Sequence, residues 1–300
     1  MLTSTQLVES IKRKANIPDA AGNFTNDKIL QIASEELKLG LASMLMKNGY
    51  LILDVDVPLE VDRVHYRVHP RAIGSKLKDV KLVRRIGNPL PLNKIPISQK
   101  YNFELRDDEF IVDANSIVLS TAPDLQEYSH LRQTIYVSPA NLVQKERVTE
   151  IIGVTHSVGF YTITVQELPF NITTESKFDI YLLDNPHNVI NIDVPILSIN
   201  RTTKAITILD TDVSSSPERG YLALTNESHI PQVPAEFHYI LAQMAAVAIL
   251  TPQGDFDMLN GVKSKLNKML KDAGLITSER VTDAPTKVVN RFGLISRQRR

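Results

Sequence analysis

Ile240-Leu241-Ala242-Gln243-Met244-Ala245-Ala246-Val247-Ala248-Ile249-Leu250 is the stretch whose reading decides the fold. It is helical in composition and apolar on nearly every side, and a helix with no polar face must be surrounded by other elements. Its entry, Ile230-Pro231-Gln232-Val233-Pro234-Ala235-Glu236-Phe237, is punctuated by prolines, and Pro234 suits a first helical turn. Phe237, Ile240, Leu241, Met244, Val247 and Ala248 trace its inner side, and Thr251-Pro252 stops it. A second, amphipathic helix follows. Leu259, Val262, Leu266, Met269, Leu270 and Ala273 form its stripe, Lys263, Lys265, Lys268 and Lys271 its wet side, and Gly274 its expected left-handed cap.

Cover for the apolar helix is expected from the other end of the chain. Thr3 and Gln6 have the spacing of a capping box, and Leu7, Val8, Ile11 and Ala15 then make one stripe opposed by Glu9, Lys12 and Arg13. A second helix, capped by Thr25 or Asn26, carries Leu30, Ala33, Leu37, Leu41 and Met44, with Asn48-Gly49 at its end. From Tyr50 the period changes to two. Leu51, Leu53, Val55 and Val57 alternate with Ile52, Asp54 and Asp56 up to Pro58, and Val64, Tyr66 and Val68 alternate with His65, Arg67 and His69, which reads as a hairpin. Eleven more short strand candidates run from Val80 to Leu224 between turn clusters. One helical turn is expected at 98–105.

The expected architecture is therefore α+β: a four-helix bundle from N- and C-terminal helices, a large inserted antiparallel β region and an extended C-terminal arm. The boundaries are 1–49 for the N-terminal helical hairpin, 50–230 for the β insertion as one unit or two, 231–274 for the C-terminal helices and 275–300 for the arm. Leu30, Leu37, Phe237, Leu241, Met244, Val247 and Leu266 are the expected bundle core.

Composition narrows the function. Lys plus Arg balance Asp plus Glu at 34 each, so whole-chain charge points to neither nucleic acid nor membrane. The balance breaks at the end, where Arg280, Lys287, Arg291, Arg297, Arg299 and Arg300 face only Glu279 and Asp283. With no cysteine there is no disulfide, thiolate nucleophile or cysteine-ligated metal. The first residues show no basic region followed by an apolar run, and no apolar run reaches the ~20 residues that span a bilayer, so neither a secretory signal nor a membrane span is expected.

The chemistry-bearing motifs are missing too. Neither G-x-x-x-x-G-K-S/T, G-x-G-x-x-G nor G-x-S-x-G occurs. His65 and His69 have a helical metal-pair spacing, but in a strand they stand roughly 13 Å apart at ~3.3 Å per residue. His130, His156, His187 and His229 are isolated, and His238 reads as a hydrogen-bonded interior or interface histidine rather than a catalyst. Asp54 with Asp56, and Asp107-Asp108-Glu109, could be drawn as acid/base pairs or hard-metal sites, yet each lacks a third ligand nearby and reads as solvated surface. No enzyme activity and no cofactor is expected.

Several pieces carry a resemblance. They are Leu7-Val8-x-x-Ile11-Lys12-Arg13, Phe24-Thr25-Asn26-Asp27-x-Ile29-Leu30-x-x-Ala33-x-Glu35-Glu36-Leu37, Tyr66-Arg67-Val68-x-Pro70-Arg71-Ala72-Ile73-Gly74-x-Lys76-Leu77-x-Asp79-Val80, Val233-Pro234-Ala235-Glu236-Phe237-His238, and Lys287-Val288-Val289-Asn290-Arg291-x-Gly293-Leu294. In order and spacing this set resembles the head-tail adaptor (connector) proteins of tailed bacteriophages. The resemblance implies a structural virion protein, assembled in the host cytoplasm. It forms a ring of copies of itself, commonly twelve, beneath the portal protein, and offers a platform to tail or further neck proteins and tail fibres. Genomic DNA is then expected to pass through the lumen without tight binding. The resemblance also implies a C-terminal arm that docks onto the portal, here Lys287, Val288, Val289, Asn290, Arg291, Phe292, Leu294 and Ile295. From Leu275 the arm spans roughly 85 Å at ~3.3 Å per residue, enough to leave its own subunit. The alternative is a tail- or fibre-attachment or carbohydrate-binding module using the β insertion. A chain with no tryptophan and nine each of tyrosine and phenylalanine offers little for sugar stacking.

Overall fold

The structure, a computed structural model, describes residues 2–18, 23–47, 51–98, 108–169, 172–182, 189–213, 217, 220–254 and 256–278. In chain order the elements begin with α1 (Ser4–Lys14), α2 (Asn26–Glu36), a π turn (Leu37–Leu41) and α3 (Ala42–Lys47). The strands are β1 (Ile52–Pro58), β2 (His65–Arg67), β3 (Ala72–Arg84), β4 (Leu90–Pro91), β5 (Asn93–Ile95), β6 (Glu109–Asp113), β7 (Ser116–Leu119), β8 (Tyr128–Val137), β9 (Asn141–Leu142), β10 (Val148–Ser157), β11 (Phe160–Val165), β12 (Lys177–Leu182), β13 (Val189–Pro195), β14 (Ser198–Asn200), β15 (Ala205–Leu209), β16 (Gly220–Leu224) and β17 (Glu227–Ser228). The chain closes with α4 (Ala235–Leu250) and α5 (Phe256–Ser278).

A four-helix bundle carrying a β insertion is not what forms. Strand makes up 38% of the chain against 32% helix, and several sheets dominate. The helices do not stand as four equal members either. α4 is a hub on which α1, α2 and α5 each pack, while α1 and α2 touch each other only lightly. The apolar circumference of α4 is covered by those three helices together with Leu142 of β9, and Leu7, Ile11, Leu30, Leu37, Leu241 and Ala245 meet in that core. Tyr239 stays exposed on the remaining side. An apolar helix demands cover, but that cover need not be a symmetric bundle.

Local chemistry explains the helices. Thr3 Oγ1 accepts from the Gln6 amide while Gln6 Oε1 accepts from the Thr3 amide, a complete capping box worth about 1 kcal/mol. Thr25 caps α2 through the Lys28 amide. The π turn has a packing reason: Leu37, Leu41 and Leu45 recur every four residues, a spacing that drifts round an α-helix, and a wider turn brings them back onto one buried face. Gly274 does not end the last helix, which runs on to Ser278. A glycine inside a helix costs only about 1 kcal/mol and need not terminate it.

Strands β1 to β8 build two four-stranded sheets, ordered β1-β8-β3-β4 and β2-β7-β6-β5, around one core that includes Tyr66, Val80, Leu82, Phe110, Ile117 and Leu131. The hairpin expected of Leu51–Val57 with Val64–Val68 does not form. β1 pairs with β8 and β2 with β7, because the link after Pro58 carries the chain across from one sheet to the other. The second unit is a seven-stranded sheet, β13-β12-β16-β10-β11-β15-β14. It folds over at β10, whose first half pairs with β16 and whose second half, past a bulge between Ile151 and Gly153, pairs with β11. Ile163, Phe178, Ile180, Val194, Ile206 and Leu222 fill the fold. Pairing is not wholly antiparallel: β5 with β6 and β9 with β17 run parallel. The remaining strand candidates fall on strands, with ends shifted by a few residues. Past Ser98, the helical turn expected at 98–105 lies outside the described residues, as do Asn48 and Gly49.

Candidate functional site

The densest polar constellation lies where the first β unit meets the outer face of the second. Phe178 and Ile180 of β12 point into the core of the second sheet, so Asp179 and Tyr181 point the other way. That outer face is not solvated. Asp179 has no exposed surface, and Arg71, from the link between β2 and β3, sets its Nη1 2.5 Å from Asp179 Oδ2. Two backbone amides complete the cradle: Asp193 N donates to Asp179 Oδ1 at 3.0 Å and Asn226 N to Oδ2 at 3.0 Å. The Tyr181 hydroxyl lies 3.2 Å from Oδ2 and 2.9 Å from the Glu227 carbonyl.

The backbone is bent to make this cradle. Asp193 (φ 55°) and Asn226 (φ 64°) are both left-handed, the region where Asn and Asp are the side chains best tolerated. Opposite Asp179 the β12–β13 register slips between Phe178/Val194 and Ile180/Asn191, a bulge that turns the Asp193 amide onto the carboxylate.

Electrostatics follow from burial. Burial works against the Arg71 charge, but Asp179, Tyr181 and Asp193 outweigh it and hold its pKa above the ordinary arginine value. Burial pushes the Tyr181 phenol well up, so it stays a neutral donor. His69, 3.7 Å from Asp193 through Nε2, has its pKa lowered by burial despite that acid, with Arg71 adding to the effect. From the helical side, Lys38 donates to Asn141 Oδ1 at 2.5 Å, and its pKa is lowered by burial first and by Arg71 second. Beside it an open groove of 320 Å³ runs between α2 and β9, lined by Asp27, Gln31, Glu35, Lys38, Asn141 and Arg147 among others. Helices and both β units thus converge on one ionic junction. Its chemistry is that of a structural tie: a buried ion pair joins the link between β2 and β3 to the outer face of the second sheet.

The residues singled out in the sequence are placed as follows. Leu30, Leu37, Phe237 and Leu241 are buried in the helical core, and Met244, Val247 and Leu266 pack against it half-buried. Lys287, Val288, Val289, Asn290, Arg291, Phe292, Leu294 and Ile295 lie outside the described residues, as do Asp107 and His187. Asp56 takes a two-pronged grip from Arg132, 2.7 Å on each oxygen, and Asp54 accepts from Thr134 Oγ1 at 2.6 Å. His65 is exposed on β2, whereas His69 lies beyond that strand at the junction rather than on an open strand face. His238 is fully buried. Its Nδ1 accepts from the Leu2 amide and its Nε2 lies 2.9 Å from the Val233 carbonyl, tying the N-terminal segment to α4. Among the described residues no group of three His, Asp or Glu could hold a metal ion, and no helix is long and apolar enough to cross a membrane.

Sequence reasoning missed Asp179, Asp193 and Asn226. The signal was faint: one carboxylate in Phe178-Asp179-Ile180-Tyr181, which alternation alone assigns to a wet face. No family model matches the sequence, and no curated protein matches it.

Proposed function

We propose that this chain is a structural adaptor of a tailed-bacteriophage neck, a ring-forming protein that docks beneath the portal, extends the DNA channel and offers its β units to tail-side partners. One observation carries the proposal: α1, α2 and α5 all pack on α4, so both ends of the chain gather into one helical cluster, and α5 then runs 23 residues before the basic terminal segment begins. A helical root followed by a cationic stretch with Val288, Val289, Phe292, Leu294 and Ile295 as anchors has the composition of a strap that orders on a partner. The sequence pieces that resemble head-tail adaptors include Arg71, which sits in the buried junction. A buried ion pair tying two β units together suits a protomer that must present two different complementary faces to its neighbours in a closed ring. Balanced charge suits a lumen through which DNA moves, since arrays of phosphate contacts would hold the duplex.

Removal of residues 276–300 tests the strap. The truncated chain keeps its fold and no longer co-sediments with the portal; unchanged co-sedimentation refutes the arm's role.

A further inference from the structure

The edges of the sheets are treated unequally. β2 is an edge strand, and Arg63 folds its Nε onto the His65 carbonyl at 2.8 Å, blocking an outward-facing acceptor. β13, at the edge of the second sheet, is broken by register shifts and by left-handed Asp193. β4, β5 and β14 have only two or three residues. Bulges, capping side chains and short length are the usual ways of keeping an edge from pairing with another chain.

β1 has none of these except a closing proline. Its seven residues pair with β8 in unbroken register from Ile52↔Tyr136 to Pro58↔His130. The bonds Val137 N to Leu51 O and Leu59 N to Ser129 O place the odd-numbered residues in the hydrogen-bonded pairs, so the even-numbered ones turn their backbone groups away from β8. The amides of Ile52, Asp54 and Asp56 and the carbonyls of those residues and Pro58 therefore form a regular open row, without partners among the described residues. Pro58 fits because its nitrogen faces outward, where no ladder bond is lost. Asp54 and Asp56 stand on the outer face of this strand; Arg132 already grips Asp56, and Lys81 pairs with Asp79 two strands in, while Asp54 is exposed and accepts from the Thr134 hydroxyl.

We propose that the β1 edge is a strand-addition site that takes an extended segment of another protein bearing Lys or Arg opposite Asp54, with apolar residues on either side of it. Main-chain bonds to the open row supply the attachment, and alternate side chains supply the specificity. One cation falls against the exposed Asp54, since Asp56 is already held by Arg132, while the apolar side chains continue the face of Leu53 and Val55. A second copy of β1 is a poor occupant: antiparallel pairing about Val55 sets Asp54 of one copy directly opposite Asp56 of the other, and like charges so placed repel. The inference stands on edge geometry and charge and does not rest on the neck assignment.

The test uses the full chain with a short synthetic peptide alternating valine and lysine, beside a valine–glutamate control, read by residue-resolved amide hydrogen exchange. The lysine peptide slows exchange at Ile52, Asp54 and Asp56 by about tenfold or more, and the glutamate peptide does not. Asp54→Pro removes an outward donor together with the carboxylate that faces the cation and loses no ladder bond to β8, so it abolishes binding while the inward amides of Leu53, Val55 and Val57 stay protected. Should that variant unfold, Asp54→Lys keeps the test alive by switching the preference to the glutamate peptide. Equal binding of both peptides, protection elsewhere, or protection of β1 by the chain's own 284–300 peptide and not by the probe overturns the proposal.

Discussion

Arg71 and Asp179 stand 108 residues apart in sequence and 2.5 Å apart in space, the arginine from one β unit and the wholly buried carboxylate from the other. Removing one partner of such a pair strands a buried charge, at a cost of about 3–5 kcal/mol. Arg71→Ala therefore lowers unfolding free energy by that order in urea titration. Arg71→Ala with Asp179→Asn costs less than the sum of the single changes, because the stranded charge is gone and the one amide oxygen still accepts from either the Asp193 or the Asn226 N–H. A loss under ~1 kcal/mol in the single variant would show that the two units are held elsewhere.

Stability should fall with acid through His229. Its ring stacks edge-on against Tyr221, and burial first, Lys145 second, lowers its pKa to about 4. The folded state resists a proton that the unfolded chain accepts near pH 6.5. The contribution is thus complete above about pH 7 and drains away between 6.5 and 4, reaching on the order of 3 kcal/mol. Glu36 and Glu227, raised by burial, act in the opposite sense, so wild type must be compared with His229→Gln. The variant shows a flatter stability profile over that window; identical profiles would sink the assignment.

Two glycines make a contrast. A Cβ on Gly220 would overlap the Tyr181 carbonyl in the adjoining strand, a backbone atom that cannot yield, and Gly220→Ala is expected to cost roughly 3 kcal/mol or more. A Cβ on Gly40 meets only the Met244 methyl, the far end of a flexible side chain. Gly40→Ala should be near neutral or stabilising by up to about 1 kcal/mol from helix propensity. Thermal melting of both variants checks the order, and a Gly40→Ala melting point below that of Gly220→Ala would contradict it.

Much of the fold was legible because it is periodic. The stripe of Leu7, Val8, Ile11 and Ala15, the encircled helix at Ile240–Leu250 and the longer strands follow from spacing alone, since burial is what periodicity records, whereas the two- and three-residue β4, β5, β9 and β17 are too short to show a period. What spacing could not show is how many neighbours the apolar helix needs, so four helices suggested a bundle where α4 is a hub in a mostly β molecule. Strand partners were also hidden: nothing in Leu51–Val57 announces that its mate is Tyr128–Val137 rather than the next strand. The junction was the least legible part. Asp179 depends on an arginine in another unit and on left-handed turns at Asp193 and Asn226, all long-range facts.

The most direct test of the proposed neck role is the native mass of the purified chain mixed with a tailed-bacteriophage portal protein from the same source. The account predicts a complex carrying a closed ring of copies, commonly twelve, and predicts that a chain lacking residues 276–300 leaves the portal bare. A chain that remains free beside the portal at every ratio, with its arm intact, would contradict it.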